Sequence, residues 1–112
     1  MNKLINVVDP DHWYSFSTIE QMANIGAEVG RFYKWKAKGR EEIAQGCLYR
    51  AIELIDLTKS DIKNRDRLDE FCKLKEFWLD SVMDDNIYNQ TEKQWLNYFD
   101  AFGLYASKLR LT

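Results

Sequence analysis

The sequence predicts an all-α protein: an antiparallel four-helix bundle with an irregular N-terminal arm. Three observations predict it. Apolar residues recur at helical spacing through four segments. Two of those segments open on capping-box sequences, STIE at 17–20 and TEKQ at 91–94. Glycine and proline are scarce, five and one in 112 residues, which suits long helices better than a many-turned β fold. A chain of this length makes one domain with a single modest core. The expected organisation is an arm at 1–16 and a helical bundle at 17–112.

The arm contains Leu4, Ile5, Val7, Val8, Trp13 and Phe16, too apolar for a free tail. It is expected to pack across the bundle or against a second subunit. In the first helix the Ser17 hydroxyl can accept from the Glu20 backbone N–H, and the Glu20 side chain can return the bond. Ile19, Met22, Ile25, Gly26, Val29 and Tyr33 then form its apolar stripe. Gly39 ends it, after Lys34, Lys36 and Lys38, which suit the negative end of the helix dipole.

The second helix is expected from about Arg40 to Leu57, with Ile43, Cys47, Leu48, Ala51, Leu54 and Ile55 at helical spacing. Glu41 and Glu42 occupy its first turn, where acids are favoured. TKSDIKN at 58–64 reads as a connection. The third helix runs from about Asn64 to Met83, with Leu68, Phe71, Cys72, Trp78, Leu79 and Val82 on one face. DDNIYNQ at 84–90 reads as a loop. The fourth helix carries Trp95, Tyr98, Phe99, Phe102, Ala106 and Leu109. Short connections between helices of similar length favour up-and-down packing.

Charge and composition narrow the function. Sixteen cations against eighteen acids give a net charge of -2, so any nucleic-acid role must rest on a local patch. No apolar run reaches the roughly 18 residues that a membrane span needs. The opening MNKLINVVDPDHWYSF does not read as a signal peptide. Cys47 and Cys72 lie inside helical patterns with no CxxC spacing, which reads as buried, reduced thiols in a cytoplasmic protein. A bridge between them is the alternative.

Two surfaces stand out. Ala23, Gly26, Ala27 and Gly30 put small residues on one side of the first helix. Each internal glycine costs about 1 kcal/mol relative to alanine, so a close helix approach should offset it. That approach is either intramolecular or from a partner, and a large side chain at Gly30 is expected to overpack it. These residues and Trp13 form the candidate interface. The second surface is the run from 31 to 40, in which Arg31, Lys34, Lys38 and Arg40 surround Trp35. Cations beside an aromatic ring suit phosphate contact with base stacking. A solvated C-terminal turn with Trp35 in the core is the plainer reading.

Enzyme chemistry finds little support. His12 is the only histidine, and it precedes the helices. Paired Glu-x-x-His motifs, zinc spacings, P-loops and nucleophile elbows are absent. Glu53 and Asp56 on the second helix, with Asp66 and Asp69 opening the third, resemble the carboxylate set of the all-α nucleotide pyrophosphatases. The earlier E-x-x-E partner of that set is broken here, because Gln45 follows Glu42.

Residues 17 to 57 resemble the small bacterial four-helix-bundle proteins of the 23S rRNA intervening-sequence type. Asn24, Ile25, Ala27 and Glu28 carry the likeness, with Gly26 inserted among them, and an Ala-rich helix follows. The resemblance implies an oligomeric bundle with a basic surface that contacts nucleic acid. HEPN nuclease and toxin bundles are a second comparison by fold. Their Arg-x(4–6)-His motif is missing, since no arginine precedes His12.

The expected function is a non-enzymatic interaction module that self-associates as a homodimer or higher oligomer, or meets another protein partner. Four tryptophans, six tyrosines and six phenylalanines are more large rings than a core of this size readily takes. The alternatives are RNA or DNA binding through 31–40, and a Mg-dependent nucleotide hydrolase. No catalytic residue, metal site or cofactor is expected, and no membrane contact.

Overall fold

The structure, a computed structural model, describes residues 9–83 and 91–111, with side chains described as far as Lys108. Its elements are α1 (Pro10–Tyr14), α2 (Thr18–Ala37), α3 (Glu41–Ser60), a 3-10 turn (Ile62–Arg67), α4 (Leu68–Met83) and α5 (Glu92–Leu111). The fold is all-α, with no strand among the described residues. None of the described helices is long and apolar enough to cross a membrane. The expected loop at 84–90, the arm residues Leu4, Ile5, Val7 and Val8, and the Leu109 side chain lie outside the described residues.

Local chemistry starts and stops the helices as the sequence implied. Ser17 Oγ accepts from the Glu20 N–H at 3.1 Å, and Glu20 Oε1 accepts from the Ser17 N–H at 3.0 Å. Thr91 and Gln94 repeat the reciprocal pair at 3.2 and 2.7 Å. At the end of α2 the Arg40 N–H reaches the Trp35 carbonyl at 2.9 Å, and the Gly39 N–H reaches Lys36 at 3.0 Å. This closing motif needs a left-handed residue, and Gly39 supplies it at φ 75°.

α2 is the central helix. It packs on α3 and on α5, while α3 also carries α4 and α1. Met22, Ile25, Val29 and Phe32 of α2 meet Cys47, Leu48, Ala51 and Ile55 of α3 in the core. Phe71, Leu74 and Trp78 enter from α4, and Trp95 and Phe99 from α5. Polar ties cross the same joints. Glu28 forms an ion pair with Arg50 at 3.4 Å between α2 and α3. The Trp78 indole N–H donates to the Tyr33 hydroxyl at 3.2 Å between α4 and α2. Lys75 reaches Asp56 at 2.9 Å between α4 and α3.

Several expectations change. Residues 10–14, expected as irregular arm, form α1 on the Asp9 N-cap with Pro10 at its start. Trp13, expected among the interface residues, lies in the core of the chain, 3% exposed, with its indole N–H on Thr58 Oγ1 at 3.0 Å. Thr58 to Ser60 continue α3, and α4 begins at Leu68 after the 3-10 turn. Cys47 and Cys72 are both free, and Cys72 is exposed, as is Leu68. The buried stripe of α4 is Phe71, Leu74 and Trp78, which leaves Leu68 and Cys72 together on the adjoining stripe. Ile43 is likewise exposed, and Ala44 is buried in its place.

The 58–64 connection is also a buried polar latch. The Gln21 side chain donates to the Trp13 carbonyl at 3.1 Å and to Asp61 Oδ2 at 2.8 Å, and accepts from Asn64 at 2.9 Å. Asn64 also donates to the Thr58 carbonyl at 3.0 Å and accepts from the Thr18 hydroxyl. Lys63 closes the outside on Asp61 and, at 3.0 Å, on the Tyr14 carbonyl. Burial alone would raise the Asp61 pKa. Hydrogen bonds from Lys63 and Gln21 outweigh it and hold the carboxyl below its ordinary value.

Candidate binding groove

The packing leaves one side of the molecule open. α5 rests on α2 and α4 rests on α3, but α4 and α5 stand apart. Between them lies a groove of about 970 Å³. Ile19 and Met22 of α2 form its floor. Phe71, Leu74 and Phe77 form the α4 wall, and Trp95, Tyr98 and Phe102 the α5 wall. Each wall follows from helical spacing: residues three and four apart line one face.

The α5 wall is an aromatic ladder. Tyr98 meets Trp95 edge-on at 6.0 Å and Phe102 at 5.4 Å. Tyr98 is nonetheless 43% exposed, and Tyr105, one further step along the same face, is 52% exposed. Partial burial pushes the Tyr98 hydroxyl pKa up, and the Glu70 carboxylate across the groove adds to the shift. The Trp95 indole N–H is buried without a hydrogen-bond partner. Such a group costs about 1–3 kcal/mol in the free protein.

Charges sit on the rim at Lys63, Arg67, Glu70 and Lys73. Lys63 is held by Asp61, and Lys73 by Asp69 at 3.0 Å. Among the described residues, Arg67 and Glu70 have no ion-pair partner.

The basic-aromatic stretch converges in part. Lys34 Nζ, Lys38 Nζ and the Arg40 guanidinium lie 5.6, 5.3 and 5.9 Å from the centre of the half-buried Trp35 ring. No carboxylate among the described residues pairs with any of the three. Arg31 stands apart from them, bound to Glu28 at 3.0 Å. Lys36 is spent on Glu41 at 3.3 Å, and Tyr33 turns inward to Trp78.

The small-residue stripe is divided. A Cβ on Gly26 would stand 2.6 Å from Phe99 Cβ, so this glycine serves the α2–α5 joint within the chain. Among the described residues nothing lies within 4 Å of a Cβ built on Gly30, so no described helix approaches there for a large side chain to overpack. Ala23 is half-buried and Ala27 exposed.

Two of the four carboxylates expected for hydrolysis are engaged elsewhere: Asp56 by Lys75 and Lys59, Asp69 by Lys73. No group of three His, Cys, Asp or Glu among the described residues could hold a metal ion. His12 is exposed with its ring on Phe16 at 5.1 Å.

Sequence reasoning missed the groove because each of its apolar residues reads as core. The available signal was the ladder Trp95, Tyr98, Phe102 and Tyr105, which gives α5 a wider aromatic face than one helix neighbour covers. No family model, curated protein or solved structure matches this chain.

Proposed function

We propose that this chain is a non-enzymatic interaction module whose working surface is the groove between α4 and α5. One observation carries the reading: an aromatic-lined channel of about 970 Å³ on the side where α4 and α5 are not closely packed on one another. Helix-in-groove recognition uses this form, an apolar trough that takes the apolar face of an amphipathic helix. In this reading the helices make an antiparallel four-helix bundle, up and down in order, closed at α2–α3, α3–α4 and α2–α5. Two cysteines that form no bridge with one another suit a cytoplasmic setting.

An apolar fluorescent dye tests the groove. Phe102 is half-buried on the wall, so Phe102→Glu places a carboxylate in the trough. Dilute wild-type protein should bind the dye at one saturable site, and Phe102→Glu should lose it. Equal binding by both would sink the reading.

A second reading rests on the Trp35 cluster. Three cations around one indole, none answered by a carboxylate among the described residues, suit the phosphates of a single-stranded nucleic acid. The resemblance at residues 17–57 points the same way. In this reading the polyanion is held by Lys34, Trp35, Lys38 and Arg40, without Arg31.

A further inference from the structure

We infer that the occupant of the groove is a second copy of this chain, related by a twofold axis that sets the two open sides face to face. The inference rests on the groove being a binding surface. Twofold pairing requires a patch complementary to itself, in charge as well as in shape.

The rim meets that requirement in charge. Arg67 ends the 3-10 turn and Glu70, three residues on, lies in the first turn of α4, both exposed and both on the groove. They are opposite in sign, and among the described residues neither has an ion-pair partner. Lys63 and Lys73 are already answered by Asp61 and Asp69. The unanswered rim is therefore one cation and one anion. A strongly acidic or strongly basic helix would satisfy one and oppose the other. Around a twofold axis, Arg67 of one protomer meets Glu70 of the other, and the reverse contact follows by symmetry.

The apolar surface meets it in shape. Tyr98, Phe102 and Tyr105 follow one another at helical spacing, and the first two line the groove. Tyr98 and Tyr105 remain 43% and 52% exposed, so the face runs on from the groove onto open surface. The same face is thus a wall of its own groove and a ridge that can enter the groove opposite. Ridge and trough on one patch are what a closed pair of identical chains needs.

Sedimentation equilibrium on the full chain tests this. Wild type should form a dimer. Arg67→Glu and Glu70→Arg alone should each raise the dimer dissociation constant by about tenfold, because each sets like charges against one another twice. The double variant Arg67→Glu/Glu70→Arg should return it to near the wild-type value. Both side chains are exposed, so melting temperatures measured at dilutions where the chain is monomeric should barely move and a folding defect is separable. A monomer at high concentration would overturn the twofold partner. So would a dimer indifferent to the single reversals, or a double variant no tighter than the singles. A monomer that still binds the apolar dye in a Phe102-dependent way removes the second copy and leaves the groove as a binding surface. Loss of dye binding as well removes both.

Discussion

Gly26 of α2 lies directly against Phe99 of α5: a Cβ on the glycine would stand 2.6 Å from the phenylalanine Cβ. The contact is with the root of the side chain, which cannot swing away. The absence of a side chain at Gly26 thus sets how closely α5 approaches α2. One turn on, Gly30 has nothing among the described residues within 4 Å of its would-be Cβ. The two glycines look alike in the sequence and differ in what surrounds them.

Alanine at these positions should therefore act with opposite sign. Gly30→Ala gains about 1 kcal/mol of helix propensity with no clash. Gly26→Ala gains the same propensity and meets an overpacking cost of about 1–3 kcal/mol. Thermal melts should show Gly30→Ala above wild type and Gly26→Ala at or below it. A Gly26→Ala protein as stable as Gly30→Ala would mean that α5 yields freely at this joint.

Asp61 ties folding to acid pH. Its carboxyl is held below the ordinary value in the folded state, so its contribution is fully present above the unfolded pKa of about 3.9. That contribution is lost as pH falls through the folded value, because protonation removes an acceptor from Gln21 and Lys63. Asp61→Asn should cost about 1–3 kcal/mol at neutral pH, since an amide N–H then faces donors. Its stability should also fall less than that of wild type below pH of about 4. Denaturant titrations across that range would refute the assignment if the two acid limbs were parallel.

Binding at the Trp35 cluster should depend steeply on salt. Release of counterions from a single strand contributes a slope of about −0.7 in log K against log salt for each phosphate neutralised. Three cations predict roughly −2 for a short single-stranded RNA. Lys34→Gln and Lys38→Gln should each flatten the slope by about 0.7, while Arg31→Gln should leave it unchanged, because Arg31 is committed to Glu28. Failure to bind at low salt, or an equal effect of Arg31→Gln, would rule out the nucleic-acid reading.

The helices themselves were legible in the sequence. Ser17 and Glu20, Thr91 and Gln94, and Gly39 act within a few residues of one another, so their chemistry is readable along the chain. The stripe Met22, Ile25 and Val29 declared the buried face of α2 for the same reason. Other features depended on residues remote in sequence. Trp13 read as an arm residue that packs across the bundle or at an interface, and only the fold shows Thr58, 45 residues away, as its hydrogen-bond acceptor. Gln21, Asp61 and Asn64 carry no signal for burial along the chain, and each is buried because the others satisfy it. The groove is of this second kind. Periodicity assigns a residue to a helix face, but whether another helix covers that face depends on the angle at which α4 and α5 rest on their neighbours. That angle is set by contacts such as Gly26 with Phe99 and Tyr33 with Trp78, which only the tertiary structure brings together.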